Sequence, residues 1–161
     1  MTRDIDPADF RRLLGHFATG VTVMTTRAPD GTAAGMTVNS LASISLVPPL
    51  VSVSIDRAAD VHDVLIGAPR FVVNILDAGQ EGLSRRFAES ESDRFGGVGW
   101  RPSSDGEPII DGTLAHIECE HFAVYPAGDH TILVGRVTGG STQSGSPLLY
   151  YRGGYTSLGP G

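Results

Sequence analysis

The sequence predicts a mostly β protein, with about six antiparallel strands closed into a barrel and helices at the start and in the middle of the chain. Runs rich in β-branched residues recur along the chain, and short turns join most of them as hairpins. The strands do not alternate regularly with helices, which argues against a doubly wound parallel sheet. With 161 residues, 40% of them apolar, the chain is long enough for one sizeable core. We therefore expect a single domain over residues 1–161.

The first predicted element is a helix in the opening segment DIDPADFRRLLGHFATG. Asp6 suits the N-cap, Pro7 suits the first helical position, and Gly20 can end the helix. Four apolar residues spaced as one helical stripe form its expected buried face: Phe10, Leu13, Leu14 and Phe17.

The next segments predict β structure. VTVMTTR and TAAGMTVNSLASIS, joined by the turn APDG, form a hairpin. In LVSVSI, valine and isoleucine alternate with Ser52 and Ser54, which is the pattern of a half-buried strand.

The middle and the end of the chain mix element types. AADVHDVLIGA and GQEGLSRRFAE predict helices on either side of the strand RFVVNIL. The stretch from Ser90 to Gly112 is rich in Gly, Ser, Pro and Asp and predicts a long loop. Two long strands, TLAHIECEHFAVYP and HTILVGRVTGGS, then form a hairpin around AGD.

Composition excludes several classes of function. The chain has no lysine, so neither a Schiff-base enzyme nor a P-loop nucleotide hydrolase fits. A net charge of −6 without a large basic cluster predicts no nucleic-acid partner. No stretch approaches the roughly 18 apolar residues of a membrane span, and Cys119 is the single cysteine. We expect a soluble, cytoplasmic protein with no membrane partner.

The segment HIECEH invites a metal hypothesis, which strand geometry opposes. On a strand, His116, Glu118 and Glu120 lie on one face and His121 on the other, so the four side chains cannot converge. We expect a polar outer face and no metal site.

Two further segments leave alternatives open. Gly35 to Ile55 carries more serine and threonine than a dry core would favour, which fits a polar ligand or an ordinary Ser/Thr-rich edge sheet. The pair Asp129–His130 follows a glycine and precedes a strand, so it is either a reactive site or a polar turn.

Six blocks of the chain, in order, resemble the flavin reductase family with the FMN-binding split-barrel fold, the short reductase components of two-component flavin-dependent monooxygenases. The blocks are FRRLLGHFATGVTVMTT, GMTVNSLASISLVPPLVSVSI, RFVVNIL, RFGGVGW, AGDHTILVGRV and PLLYYRGGY. The resemblance implies a six-stranded antiparallel Greek-key split barrel of the FMN-binding type.

The resemblance also implies where a flavin, FMN or FAD, is held. The residues matching the isoalloxazine and ribityl contacts are Thr37, Val38, Asn39 and Ser40. The segment that leads into the phosphate-facing helix supplies Ser54, Ile55, Asp56, Arg57 and Ala59. Many relatives carry hydroxyl residues at this turn, whereas this chain has DRAAD, so Arg57 or the pair Arg85–Arg86 would supply the positive charge.

His130 matches the histidine that the family associates with the nicotinamide site for NADH or NADPH. Hydride transfer requires two stacked rings and little water, so His130 orients the nicotinamide or stabilises charge on the reduced flavin. Asp129 fits a turn former that can hydrogen-bond His130. Tyr151 and Tyr155 would lie near the nucleotide pocket or seal the barrel, and Phe95 and Trp100 would cover the flavin or anchor their own loop.

The implied function is NAD(P)H:flavin oxidoreduction, with reduced flavin passed to a monooxygenase component. Alternatives are a split-barrel oxidase or oxygenase that retains its flavin, and a non-catalytic flavin- or haem-binding module. The resemblance further implies a homodimer with flavin pockets at the subunit interface.

Overall fold

The structure, a computed structural model, describes residues 3–90 and 92–159. The predicted domain limits at residues 1 and 161 lie outside the described residues. The helices are α1 (Pro7–Leu14), α2 (His62–Gly67) and α3 (Glu81–Ala88). The strands are β1 (Thr19–Gly20), β2 (Thr22–Arg27), β3 (Ala33–Val38), β4 (Ala42–Leu46), β5 (Pro49–Asp56), β6 (Arg70–Ile75), β7 (Trp100–Pro102), β8 (Pro108–Ile110), β9 (Ala115–Ala127), β10 (His130–Thr142), β11 (Leu149–Tyr151) and β12 (Gly154–Thr156).

Seven of these strands form the main sheet, in the order β3-β2-β6-β9-β10-β5-β4, and every neighbouring pair is antiparallel. The prediction of a mostly β, antiparallel protein with few helices is therefore confirmed. The expected count of six strands is wrong for this sheet, which has seven strands and open edges at β3 and β4. The difference arises because the segment read as one long strand, TAAGMTVNSLASIS, breaks into β3 and β4 and places them at opposite edges.

The main sheet curls so that its two halves share one core. Val38 at the end of β3 lies in the same buried cluster as Val53 on β5 and Leu133 on β10. The Ser40 hydroxyl accepts a hydrogen bond from the Ser54 backbone N–H at 2.9 Å and donates to the Ser54 carbonyl at 3.2 Å. The segment after β3 is thereby attached to β5.

The β9–β10 hairpin and the alternating strand β5 agree with the sequence pattern. Val51, Val53 and Ile55 are buried while the serines between them are half-buried. Gly128 occupies the hairpin turn with φ 61°, a left-handed conformation that glycine adopts without steric cost.

The predicted loop from Ser90 to Gly112 contains the short hairpin β7–β8. Pro108, Ile109 and Ile110 are buried, and the Ile110 N–H donates to Asn74 Oδ1 at 2.9 Å. The prediction missed these strands because three-residue elements between glycines and prolines carry no clear alternation. Strand β1 pairs with β11, and β11 pairs with β12, in a separate small sheet.

Helix α1 begins as predicted and ends earlier. The Ala8 N–H donates to Asp6 Oδ1 at 2.8 Å, which confirms the N-cap, whereas the helix ends at Leu14 and Gly20 belongs to β1. The apolar stripe was expected to be buried, but no residue of α1 is buried in the single chain. Phe10 is 54% exposed and Phe17 is 73% exposed.

The segment HIECEH differs from the expected polar outer face, because His116 is buried, 3.5 Å from Glu118 Oε1. Among the described residues, no cluster of three His, Cys, Asp or Glu side chains is arranged to hold a metal ion. Within the same ranges, none of the helices has the length and apolar character needed to cross a membrane.

Candidate functional site

A cleft of about 870 Å³ lies between α1, β1, the segment after β3 and the β11–β12 hairpin. Its walls include Phe10 and Arg11 from α1, Asn39 and Ser40 after β3, and Tyr150 from β11. Ligand pockets typically measure 300–1,000 Å³ and are mostly apolar with a few polar groups. The cleft has the size and the character of a site for a large organic ligand.

Of the four predicted flavin-contact residues Thr37 to Ser40, here called the Thr37–Ser40 ribbon, two line the cleft and two do not. Asn39 and Ser40 line it, and Asn39 is exposed. The Thr37 hydroxyl donates to the Ser84 carbonyl on α3 at 2.6 Å, and Val38 is buried in the core. The Asn39 side chain is thus available to a ligand in the cleft, whereas the Ser40 hydroxyl is bonded to Ser54 and the side chains of Thr37 and Val38 hold the ribbon in place.

The turn after β5 is organised by its own hydrogen bonds. Asp56 Oδ1 accepts from the Ala58 N–H at 2.9 Å, and the Asp56 carbonyl accepts from the Ala59 N–H at 3.1 Å. The Arg57 N–H donates to the Asp129 carbonyl at 3.0 Å, which connects this turn to the β9–β10 turn. Ile55 is completely buried, so its side chain belongs to the core.

His130 begins β10 directly opposite Asp56 of β5. Its Nδ1 lies 2.7 Å from Asp129 Oδ1, and the imidazole is 41% exposed. The hydrogen bond with His130, followed by the charge of that ring, lowers the pKa of Asp129 below its ordinary value. The pair matches the predicted contact between a turn-forming aspartate and its neighbouring histidine.

His130 does not line the cleft of its own chain, although it belongs to the same end of the sheet. Ser40 contacts Ser54 on one side of β5, and His130 pairs with β5 two residues further along on the other side. Ser40 and His130 therefore lie near the same end of β5.

Two other predicted residues lie outside this group. The Arg86 guanidinium donates to the Arg94 carbonyl at 2.7 Å and to the Asp93 carbonyl at 2.9 Å, so it holds the segment after α3. Tyr151 packs edge-on against His16, with ring centroids 6.4 Å apart.

Prediction from sequence missed most residues of the cleft wall, among them Phe10, Arg11, Thr22 and Tyr150. The apolar stripe of α1 was a signal for Phe10, but it was interpreted as a face packed against the core. Nothing in the local pattern indicates that Thr22 and Tyr150 meet across a cleft, because their strands belong to different sheets.

Taken together, the curled antiparallel sheet and its lateral cleft define a small β protein with a site of the size that suits a large organic ligand. The chain belongs to the flavin reductase like domain family, whose sequence profile matches residues 14–159. The resemblance to flavin reductases is therefore confirmed.

Relatives with assigned activities match nearly the whole chain. It is 44% identical over 152 residues to a flavin reductase of Pseudomonas putida, covering 94% of this chain and 89% of that protein. It is 41% identical over 163 residues to the flavin-dependent monooxygenase reductase subunit HsaB of Mycobacterium tuberculosis, covering 99% and 87%.

A solved structure shows that the similarity extends to the three-dimensional fold. The NADH:FAD oxidoreductase SgcE6 of Streptomyces globisporus, in complex with NAD and FAD fragments, superposes with a TM-score of 0.90. Its sequence is 38% identical, and the match covers 99% of this chain and 98% of that one.

Proposed function

We propose that this protein is an NAD(P)H:flavin oxidoreductase that reduces FMN or FAD by hydride transfer and supplies the reduced flavin to a partner monooxygenase. The observation that carries the proposal is the end-to-end match, at a TM-score of 0.90, to an oxidoreductase in complex with NAD and FAD fragments. Relatives named as reductase subunits of flavin-dependent monooxygenases support the role of a supplier.

The residues of the cleft fit a flavin. Its apolar walls suit a planar aromatic ring, while the exposed Asn39 amide offers both a donor and an acceptor to polar ring edges. Ser40 orients the backbone beside Asn39 through its two bonds to Ser54. A bound flavin supplies the chemistry of accepting a hydride from the nicotinamide, and the protein positions the two rings and excludes water.

His130 is the proposed nicotinamide-orienting residue. Asp129 accepts the hydrogen bond from Nδ1, which leaves Nε2 as the ring nitrogen directed away from the pair. This arrangement fixes the orientation of the imidazole through a charge-assisted contact. The hydride itself requires no general base, so His130 acts by orientation and electrostatics.

The proposal includes a homodimer in which a second copy covers the exposed apolar side chains of α1, some of which line the cleft. In the single chain this helix carries three apolar side chains that are each at least half exposed, Phe10, Leu13 and Leu14, and Phe17, which follows the helix, is more exposed still. Contiguous apolar surface of this kind is typical of protein–protein contacts. The same helix forms one wall of the cleft, so a second copy would complete the site.

The finer fold assignment belongs to the same proposal. A Greek-key split barrel is supported by the attachment of Ser40 to Ser54 and by the core that Val38 shares with Val53. A cytoplasmic location is also proposed, since the free buried thiol of Cys119 suits a reducing compartment.

Steady-state oxidation of NADH and NADPH with added FMN or FAD tests the proposed activity. We expect turnover that requires added flavin. Turnover without added flavin would indicate a retained-flavin oxidase, and no turnover with either flavin would indicate a binding module.

Mutation of Asn39 tests the placement of the flavin. Asn39→Ala should weaken FMN binding in a fluorescence titration and leave the KM for NADH unchanged, because the amide is expected to contact the flavin alone. Ser43→Ala, an exposed change on the neighbouring strand β4, is the matched control. An equal loss of affinity for both ligands would contradict the assignment.

A further inference from the structure

The β11–β12 hairpin and the Thr37–Ser40 ribbon both contribute residues to the walls of the cleft, and a chain of contacts through α3 joins them. The Tyr155 hydroxyl on β12 lies 2.7 Å from Ser84 Oγ on α3. The Ser84 carbonyl accepts the hydrogen bond from the Thr37 hydroxyl at 2.6 Å. Ser84 therefore holds the hairpin with its side chain and the ribbon with its backbone.

Tyr155 is held firmly enough to transmit this constraint. Its ring packs edge-on against Tyr150, with ring centroids 5.3 Å apart. The Arg85 guanidinium also contacts this ring and lies 4.9 Å from the Tyr155 centroid. Tyr150 is also its cross-strand neighbour and itself lines the cleft. A displacement of Tyr155 would thus move a residue of the cleft wall.

The Ser84 side of the Ser84–Tyr155 contact lies in the protein interior, whereas Tyr155 is half-buried. Ser84 is completely buried, so removal of the Tyr155 oxygen would leave the Ser84 hydroxyl without its partner where water has little access. An unsatisfied buried hydroxyl is costly, and the structure would relieve it by shifting α3 or the hairpin. Either shift changes the width of the cleft.

We propose that Tyr155 and Ser84 are positioning residues for the flavin, which set the spacing between the hairpin and the ribbon without touching the ligand. Neither residue lines the cleft. The inference rests on the proposed function in one respect, namely that the cleft holds the flavin.

The test compares Tyr155→Phe, Ser84→Ala and the double variant with the unmodified full-length protein. The Kd for FMN is measured by quenching of FMN fluorescence, and KM values for FMN and NADH are measured alongside the melting temperature. The loss of one buried hydrogen bond should raise the Kd and KM for FMN about fivefold. The KM for NADH should stay within about twofold, and the double variant should be no worse than the single ones, because the two hydroxyls form one contact.

Tyr125→Phe is the matched control, since Tyr125 is 55% exposed near the end of β9 and the change removes the same single atom. It should leave every quantity unchanged. A lower melting temperature with an unchanged Kd for FMN would overturn the proposal and assign the contact to stability alone. Equal increases for FMN and NADH, or additive effects in the double variant, would also overturn it.

Failure of the proposed function has a separate signature. In that case the unmodified protein would neither bind FMN nor oxidise NADH when FMN is added, and both proposals would fall together. If Ser84→Ala does not fold, Tyr155→Phe decides the question, because phenylalanine retains the packing of the ring.

Discussion

The Arg94 side chain joins three separate parts of the chain, and its replacement by methionine tests how the segment after α3 is fixed. Only 8% of the side chain is exposed. Its guanidinium donates to the Glu89 carbonyl at 2.7 Å, to Asp60 Oδ1 at 2.9 Å and to the Gly35 carbonyl at 3.4 Å. Methionine fills a similar volume and removes all three bonds.

The magnitude follows from the quality of each contact. A hydrogen bond from a charged donor contributes about 1.5–3 kcal/mol, which applies to the short bond with Glu89. Asp60 is 47% exposed, so its ion pair is discounted to about 1 kcal/mol for solvent screening. The long bond to Gly35 adds little. The sum of about 3 kcal/mol corresponds to a decrease in Tm of about 6–12 °C for a chain of this size.

Thermal unfolding followed by circular dichroism measures this change. Arg101→Met is the matched control, because its guanidinium is half exposed and lies 3.9 Å from Asp111 Oδ1. That variant should lower Tm by no more than about 2 °C. If the two variants melt at the same temperature, the buried network does not stabilise the fold as calculated.

Four further predictions concern the site and the core. Ser40→Ala removes both bonds to Ser54 and should weaken FMN binding several-fold more than NADH binding in parallel titrations; equal weakening would contradict this role. His130→Ala should raise the KM for NADH or slow hydride transfer with FMN affinity retained, and stopped-flow kinetics like those of the unmodified protein would refute it. The same variant removes the cause of the low Asp129 pKa, so NMR titration should find the pKa of Asp129 raised toward its ordinary value. Any stability that the Asp129–His130 pair contributes is present above the ordinary pKa of aspartate and is lost as pH falls through the lowered pKa. Burial raises the pKa of Cys119 to about 12, so the folded protein should resist maleimide at pH 8, and prompt labelling would contradict its burial.

Local features of the fold were predictable because each depends on neighbouring residues. The Asp6 cap, the alternation of β5 and the turn at Gly128 all follow from short-range geometry. The short strands β7 and β8 were not predictable, since they are stabilised by contacts such as that between Ile110 and Asn74, far apart in sequence.

The candidate site was predictable only in part for the same reason. The resemblance directed attention to Asn39 and Ser40, which do line the cleft. It did not indicate that the Thr37 hydroxyl would donate to the Ser84 carbonyl, or that Arg94 would pair with Asp60. These partners are 47 and 34 residues apart along the chain, and no local pattern encodes such pairings.

Helix α1 forms a wall of the cleft while burying none of its own residues. This placement links the equilibrium of ligand binding in the cleft to the equilibrium of self-association. If a second copy covers its exposed apolar side chains as proposed, whatever favours association also favours occupancy of the cleft, and the effect is reciprocal. Flavin binding should then strengthen self-association by the same factor by which self-association strengthens flavin binding. Specific activity would consequently decline when the protein is diluted and recover when the flavin concentration is raised.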